Sequence, residues 1–317
     1  MQNVHSIVCI LAALCVVDVG RATAQDPSVA AKRVVFLAGK PSHGYAEHEH
    51  YAGSLVLAKN LEASMKNFDA EVFRYEWPAD ESAFKNVDAI VMYCDGGDPH
   101  PVMQHLKQVD ALADQGVGIV CIHYGVEIPK GEPGNYFLKW IGGYFEANWS
   151  VNPEWKADFK LLPNHPITRG VQPFAAQDEW YYHMRFRPEM KGVTPILTAV
   201  PPASTLDRPD GTHSGNPFVR AEAGQPQHVA WAAQRENGGR GFGFTGGHYH
   251  WNWGNPNFRR IMLNAIVWAA HGEVPERGVA GVEPISVVQL EANVDEAKPE
   301  GFNSADIAAT FGLEPGK

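Results

Sequence analysis

Residues 118–125 read Gly118-Ile119-Val120-Cys121-Ile122-His123-Tyr124-Gly125. A short apolar run opened by glycine is the pattern of a strand buried on both faces. The residues after the run have the outline of a nucleophile elbow, a sharp bend that needs small neighbours two residues either side of the residue it presents. Centred on His123 those neighbours are Cys121 and Gly125; centred on Cys121 they are Ile119 and His123, which are too bulky. Cys121 therefore reads as strand interior and His123 as the residue at the tip. An imidazole there can serve as general acid or base near neutral pH. The plainer alternative is a histidine that only hydrogen-bonds loop carbonyls.

The same strand pattern recurs upstream. Residues 33–38 are a continuous apolar run ending at Gly39, and residues 54–67 carry Leu55, Ala58, Leu61 and Met65 at helical spacing. Residues 70–75 and 89–94 read as further strands. Pro101 suits the first turn of a helix whose buried face is Val102, Leu106, Val109 and Leu112. This strand–helix rhythm predicts an α/β fold: a doubly wound, mostly parallel sheet with helices on both faces.

Downstream the periodicity weakens. Residues 129–156 combine Pro129, Pro133 and Pro153 with seven aromatic residues, which predicts an aromatic-rich insertion leaving the sheet. Strand-like pieces return at 157–162, 193–199, 228–233 and 241–245. A last helix is well marked, with Asn255 as cap, Pro256 at its first position, and Phe258, Ile261, Met262, Ala265, Ile266 and Ala269 as its apolar face; Gly272 ends it.

The chain divides into a leader (1–24), a domain (32–272) and a C-terminal extension (273–317). Residues 7–19 are nearly all apolar, too few to span a bilayer, and Ala22-Thr23-Ala24 supplies the small residues of a cleavage site. This predicts export to a periplasmic or extracellular location, with no membrane span after leader removal. The net charge of −10 lies mostly in the extension, which holds nine acidic and three basic residues and reads as a strap over the domain. An acidic chain lacks the electrostatic footprint of a nucleic-acid binder. Cys94 and Cys121, the cysteines beyond the leader, read as buried thiols, neither disulfide framework nor zinc site.

Ligands of open parallel sheets sit beyond the carboxyl ends of the strands. After the first strand comes Lys40-Pro41-Ser42-His43-Gly44-Tyr45-Ala46-Glu47-His48-Glu49-His50; after the late one comes Gly246-Gly247-His248-Tyr249-His250-Trp251. With His123, these turns hold six of the 14 histidines. His43, His123 and His248 are thus candidate catalytic groups. Glu179, in Asp178-Glu179-Trp180-Tyr181-Tyr182-His183, is a fourth, as acid/base or sugar-hydroxyl acceptor. Tyr124, Tyr181, His183, His250 and Trp251 are candidate substrate-binding residues. A divalent metal is the alternative use of these loops, with His43, His48, His50 and His248 as ligands and Glu47, Glu49 or Glu127 as oxygen donors. No cofactor is firmly expected, because histidines two apart on a loop carry little geometric information.

These blocks resemble the trehalose-utilisation (ThuA-like) family: the first-strand turn with His43, Cys121-Ile122-His123, Asp178-Glu179-Trp180-Tyr181, and Phe244-Thr245-Gly246-Gly247-His248 followed by residues 258–269. The resemblance spans residues 32–272. It implies a class I glutamine amidotransferase-like superfamily fold with a flavodoxin-like sheet. It also implies that His123 stands where an amidotransferase has its cysteine, which speaks against glutaminase chemistry. It implies a role in sugar catabolism, with 3-keto sugars as suggested intermediates. The leading expectation is an exported enzyme acting on a glycoside or keto-sugar by histidine acid/base chemistry, with a small carbohydrate as its partner. The alternatives are a metal-dependent hydrolase or lyase at the same loops and a non-catalytic carbohydrate-binding protein that relies on the tryptophans.

Overall fold

The computed structural model describes residues 31–75 and 77–316, so the expected leader lies outside the described residues. The strands are β1 (Lys32–Ala38), β2 (Phe68–Arg74), β3 (Ala89–Tyr93), β4 (Gly118–Ile122), β5 (Gly143–Tyr144), β6 (Glu154–Phe159), β7 (Phe174–Glu179), β8 (Arg185–Phe186), β9 (Val193–Ala199), β10 (Gln227–Gln234) and β11 (Arg240–Phe244). The helices are α1 (His50–Ser64), α2 (Leu106–Asp114), α3 (Glu132–Trp140), α4 (Pro217–Ala221), α5 (Pro256–Ala269), α6 (Val287–Leu290) and α7 (Ser304–Phe311). No helix among them is long and apolar enough to cross a membrane.

Seven strands form the central sheet in the order β2-β1-β3-β4-β11-β10-β9. The first five are parallel, and β10 runs antiparallel to both neighbours. This is the flavodoxin-like order with a two-strand extension at one edge. β1 explains why both faces are covered. Its Val34 and Phe36 point into the apolar layer under α1 and α5, and Val35 and Leu37 into the layer under α2 and α3. Each such side chain, fully buried, contributes roughly 1.5–3 kcal/mol relative to exposure.

Several boundaries differ from those read in the sequence. α1 starts at His50, not 54, and stops at Ser64 because Met65 turns the chain (Phe68 N–H to Met65 O, 2.9 Å) into β2. The helix expected from Pro101 is a short 3-10 turn, Pro101–Gln104, broken at His105 before α2 begins. The aromatic middle contains α3, with Pro133 in its first turn and Gly134, Phe137 and Trp140 on its buried side. β6 lies three residues earlier than expected. Trp155, Ala157 and Phe159 alternate inward against β7, whereas Leu161, which extends the apolar pattern, is 86% exposed. α5 is as read, with Asn255 Oδ1 accepting the Asn257 and Phe258 N–H groups.

The extension lies against the domain. Val274, Val279, Val282, Val287, Leu290 and Ala308 join the apolar layer that holds α1 and α5. Glu291 accepts the Tyr45 hydroxyl (2.7 Å), and Glu49 accepts the Asp295 N–H (2.8 Å). Both link the extension to the loop between β1 and α1.

Candidate functional site

The elbow after β4 takes the strained form that its small residues permit. His123 has φ +53°, in the left-handed region that non-glycine residues rarely occupy. At Gly125 an added Cβ would lie 2.9 Å from the Met92 carbonyl, so no larger residue fits behind the bend. Cys121 is strand interior, and it and Cys94 are buried free thiols. The His123 ring is fully buried, and its Nδ1–H donates to the Thr245 carbonyl at the end of β11 (2.8 Å).

The two other histidine turns are laced to each other. His48 N–H donates to His248 O (3.0 Å), His250 N–H donates to Ala46 O (2.9 Å), and Glu47 bridges Tyr249. His43 and His48 both have positive φ, 70° and 47°. Beneath the second turn lies Asp178, fully buried. Its carboxylate accepts from the backbone N–H groups of Glu179 (2.9 Å), Gly247 (2.6 Å), His248 (3.1 Å) and Tyr249 (3.3 Å). Gly247, at φ +107°, makes the reversal that lets three consecutive amides point at one carboxylate.

These devices bring His48, His123, Glu179 and His248 together, with one ligating atom from each within 4.8 Å of the others. His48 Nε2 lies 3.0 Å from His123 Nε2. Glu179 Oε2 lies 3.5 Å from His123 Nε2 and 3.4 Å from His248 Nδ1, while its Oε1 accepts from Asn152 (2.9 Å). Tyr181 places its hydroxyl 3.1 Å from His123 Nε2. Behind His48, Nδ1 meets Asp95 Oδ1 (2.8 Å) and Ser42 Oγ (3.0 Å).

Burial governs the electrostatics. It pushes the His48 and His123 pKa values well below the ordinary imidazole range, reinforced by the neighbouring imidazoles, and lowers His248 to about 4. Burial, then the nearby Asp178, raises Glu179 to about 8. The cluster thus favours neutral groups, and neutral imidazoles are bases and metal ligands. His43, His48 and Asp95 also lie close enough to share a cation. That arrangement would use the His48 nitrogen already held by Asp95, so it competes with the four-residue cluster.

A polar cavity of about 300 Å³ reaches the cluster at Glu179, lined also by Asn152, Glu154, Ser204, Thr205 and Arg208. A larger one, about 520 Å³, lies at the opposite edge of the sheet around Lys139, Arg187 and Arg235, far from the imidazoles.

A family model described as trehalose utilisation matches residues 33–269. The chain belongs to the ThuA family. Among solved structures, a ThuA-like protein from Bacteroides uniformis ATCC 8492 is 16% identical, with TM-score 0.51 over 78% of this chain and 94% of its own. One from Parabacteroides merdae ATCC 43184 is 14% identical, with TM-score 0.52 over 84% and 98%. These likenesses support the ThuA fold. A glutamine amidotransferase from Thermotoga maritima is more distant, at 8% identity and TM-score 0.37 over 68% of this chain and 75% of its own. No curated protein matches this ThuA chain.

Within this ThuA domain the sequence-predicted residues divide. His43 stands exposed at the rim, its ring 3.8 Å from that of His48 and 5.7 Å from that of His248. Tyr124, half-buried, is 5.8 Å from the His48 ring. His50, proposed as a ligand, donates Nδ1–H to Lys40 O (2.9 Å) and sits behind His48, because it already belongs to α1. Three expected binding residues lie elsewhere. His183 turns away from the cluster: its φ is +59°, and its ring stacks on Trp149 at 4.4 Å. His250 donates Nε2–H to Leu290 O (2.9 Å) in the extension, and Trp251 packs between Tyr45 and Phe302. Of the expected oxygen donors, Glu127 pairs with His213 (2.9 Å), Glu49 faces the extension, and Glu47 is 3.8 Å from His248 Nε2. Sequence reasoning missed Asp95, although it lies two residues past the end of β3 at the same sheet edge. It also passed over Asp178 in favour of its neighbour.

Proposed function

We propose that this protein is a carbohydrate-processing enzyme of hydrolase, lyase or isomerase type, working at the cluster of His48, His123, Glu179 and His248. The observation that carries the reading is convergence. Histidines from the connections that follow β1, β4 and β11 meet at the carboxyl edge of the central sheet with Glu179, the last residue of β7 in the separate β6–β7 pair, and Glu179 lines a polar cavity. Fold stability gives no reason for this. Burying polar groups is costly unless each is paired, and His248 Nδ1 is buried with no hydrogen-bond partner among the described residues. Left-handed backbone at His43, His48 and His123 adds about 1–3 kcal/mol of strain each. Such costs persist where chemistry needs the geometry.

The cavity supports the substrate class. Its amide, hydroxyl, carboxylate and guanidinium groups suit a polyhydroxylated ligand better than an apolar one. The family description, trehalose utilisation, agrees. Tyr181 and His43 can carry protons to or from a sugar oxygen, or a carbon beside a ketone, held at the cluster. A thiol nucleophile of the amidotransferase kind is absent from the elbow tip, since His123 occupies it. Export through residues 1–24 is part of the same proposal.

The test is incubation of the protein with a panel of glycosides and their 3-keto forms, with products resolved by chromatography. Turnover that disappears in His123→Ala and in His123→Asn, which tolerates a left-handed backbone, is the expected result. Turnover unchanged by both substitutions removes His123 from the mechanism.

A further inference from the structure

The partners behind the imidazoles decide which nitrogen of each ring carries hydrogen. Thr245 O can only accept, so His123 holds its hydrogen on Nδ1 and its lone pair on Nε2. Ser42 donates its own hydrogen to Asp95 (2.9 Å), so both oxygens facing His48 Nδ1 accept from it. His48 therefore also presents its lone pair at Nε2. The two Nε2 atoms are 3.0 Å apart. His123 Nε2 can accept the Tyr181 hydroxyl (3.1 Å), but the His48 Nε2 lone pair faces it with no hydrogen between the two nitrogens, an arrangement that a cation relieves. His248 Nδ1, buried and without a hydrogen-bond partner among the described residues, is aimed at the same place.

We propose that His48 Nε2, His123 Nε2, His248 Nδ1 and Glu179 Oε2 bind one divalent first-row transition-metal ion. In a tetrahedral zinc site with bonds of 2.0–2.1 Å the donor atoms lie about 3.3 Å apart. Three of the six separations, 3.0, 3.4 and 3.5 Å, bracket that value, and the other three lie within 4.8 Å. Three imidazoles and one carboxylate favour zinc, cobalt, iron or manganese over magnesium or calcium, which prefer oxygen throughout. The outer partners fit as well, since ligating histidines characteristically donate their second N–H to a carboxylate or carbonyl, as His48 does to Asp95 and His123 to Thr245. This set replaces the one suggested by sequence spacing: His43 and His50 drop out, and His123 and Glu179 enter. What the ion does rests on the reading of this cluster as the working centre. There it would polarise a sugar oxygen arriving from the cavity beside Glu179 and taken on as a fifth ligand, since the four protein donors fill a tetrahedron.

The experiment is a cobalt(II) titration of the full chain, purified without a histidine tag and stripped with chelator, read by visible absorption and elemental analysis. The expected result is one ion per chain with tetrahedral-type bands, displaced by zinc(II). His48→Gln and Glu179→Gln should each weaken binding more than tenfold, and His271→Gln, at the opposite edge of the sheet, should leave it unchanged. If a variant fails to fold, thermal shift of the wild-type chain gives an independent readout: zinc(II) must raise its midpoint. No stoichiometric binding, or binding that survives both ligand substitutions, overturns the proposal; the short His48–His123 contact then belongs to a shared proton. The two readings fail separately. A loaded site without turnover of any sugar sinks the carbohydrate reading alone, and turnover by chelated protein that binds no cobalt sinks the metal alone.

Discussion

The Asp95 carboxylate lies 2.8 Å from Nδ1 of His48, reaching it from the end of a neighbouring strand. That contact fixes the ring orientation and leaves Nε2 free to face His123. Asp95→Asn keeps the shape but removes the charge behind the ring. Outer-shell losses of this kind weaken metal binding by about 10–100-fold, so the variant's cobalt(II) titration should shift by that factor. An unchanged titration would mean that Asp95 has no hold on the site.

Asp178 should be worth more to folding than its neighbour Glu179. Asp178→Ala strands three consecutive amides, those of Gly247 and His248 buried and that of Tyr249 partly so, and a buried unsatisfied donor costs about 1–3 kcal/mol. Urea unfolding should show a loss of at least about 2 kcal/mol. Glu179→Gln, which strands no amide, should unfold close to wild type.

Glu146 supplies an acid-sensitive element. Burial resists its ionisation, but Arg185, Tyr144 and Lys130 outweigh it and hold its pKa at about 2. A depressed carboxylate adds stability above its unfolded pKa of about 4.5 and loses it as pH falls toward 2. Glu146→Gln should therefore be less stable than wild type at pH 7, and the difference should shrink between about pH 4.5 and 2. A gap in urea midpoints that is independent of pH would contradict this.

Leu290 tests how firmly the extension is docked. It is fully buried in the layer that holds α1 and α5. Leu290→Ala should cost about 2–5 kcal/mol, the usual range for a buried leucine. If thermal unfolding is unmoved, the extension contributes nothing to the domain.

Much of the fold is legible in the residues because its signals are strong and local. Runs such as 33–38 and 118–122 can hardly be anything but strands buried on both faces. Asn255-Pro256 marks a helix start on its own. α3 is hidden because proline and aromatic residues resemble a loop until Phe137 and Trp140 are seen to share one buried side. β6 is easily misplaced because Leu161 continues an apolar pattern into solvent. At the site, the sheet-edge rule finds the right turns but cannot choose between His48 and His50. They are two apart and their rings stay 5.4 Å from each other, yet one lies on left-handed loop backbone and faces His123 while the other opens a helix and faces the Lys40 carbonyl. Asp95 escapes notice because it stands alone after β3, without a histidine to draw attention to it.

The sheet order has a consequence for how the chain is made. Gly118–Ile122 has on one side a strand already synthesised and on the other Arg240–Phe244, which emerges only after the aromatic insertion, the β6–β7 pair and β9–β10. Until then a nascent polypeptide carries an uncapped apolar strand whose bare amides and carbonyls can recruit another molecule. Products of premature termination before Arg240 would be sticky as well as inactive, and the cell must shield that seam until synthesis is nearly done.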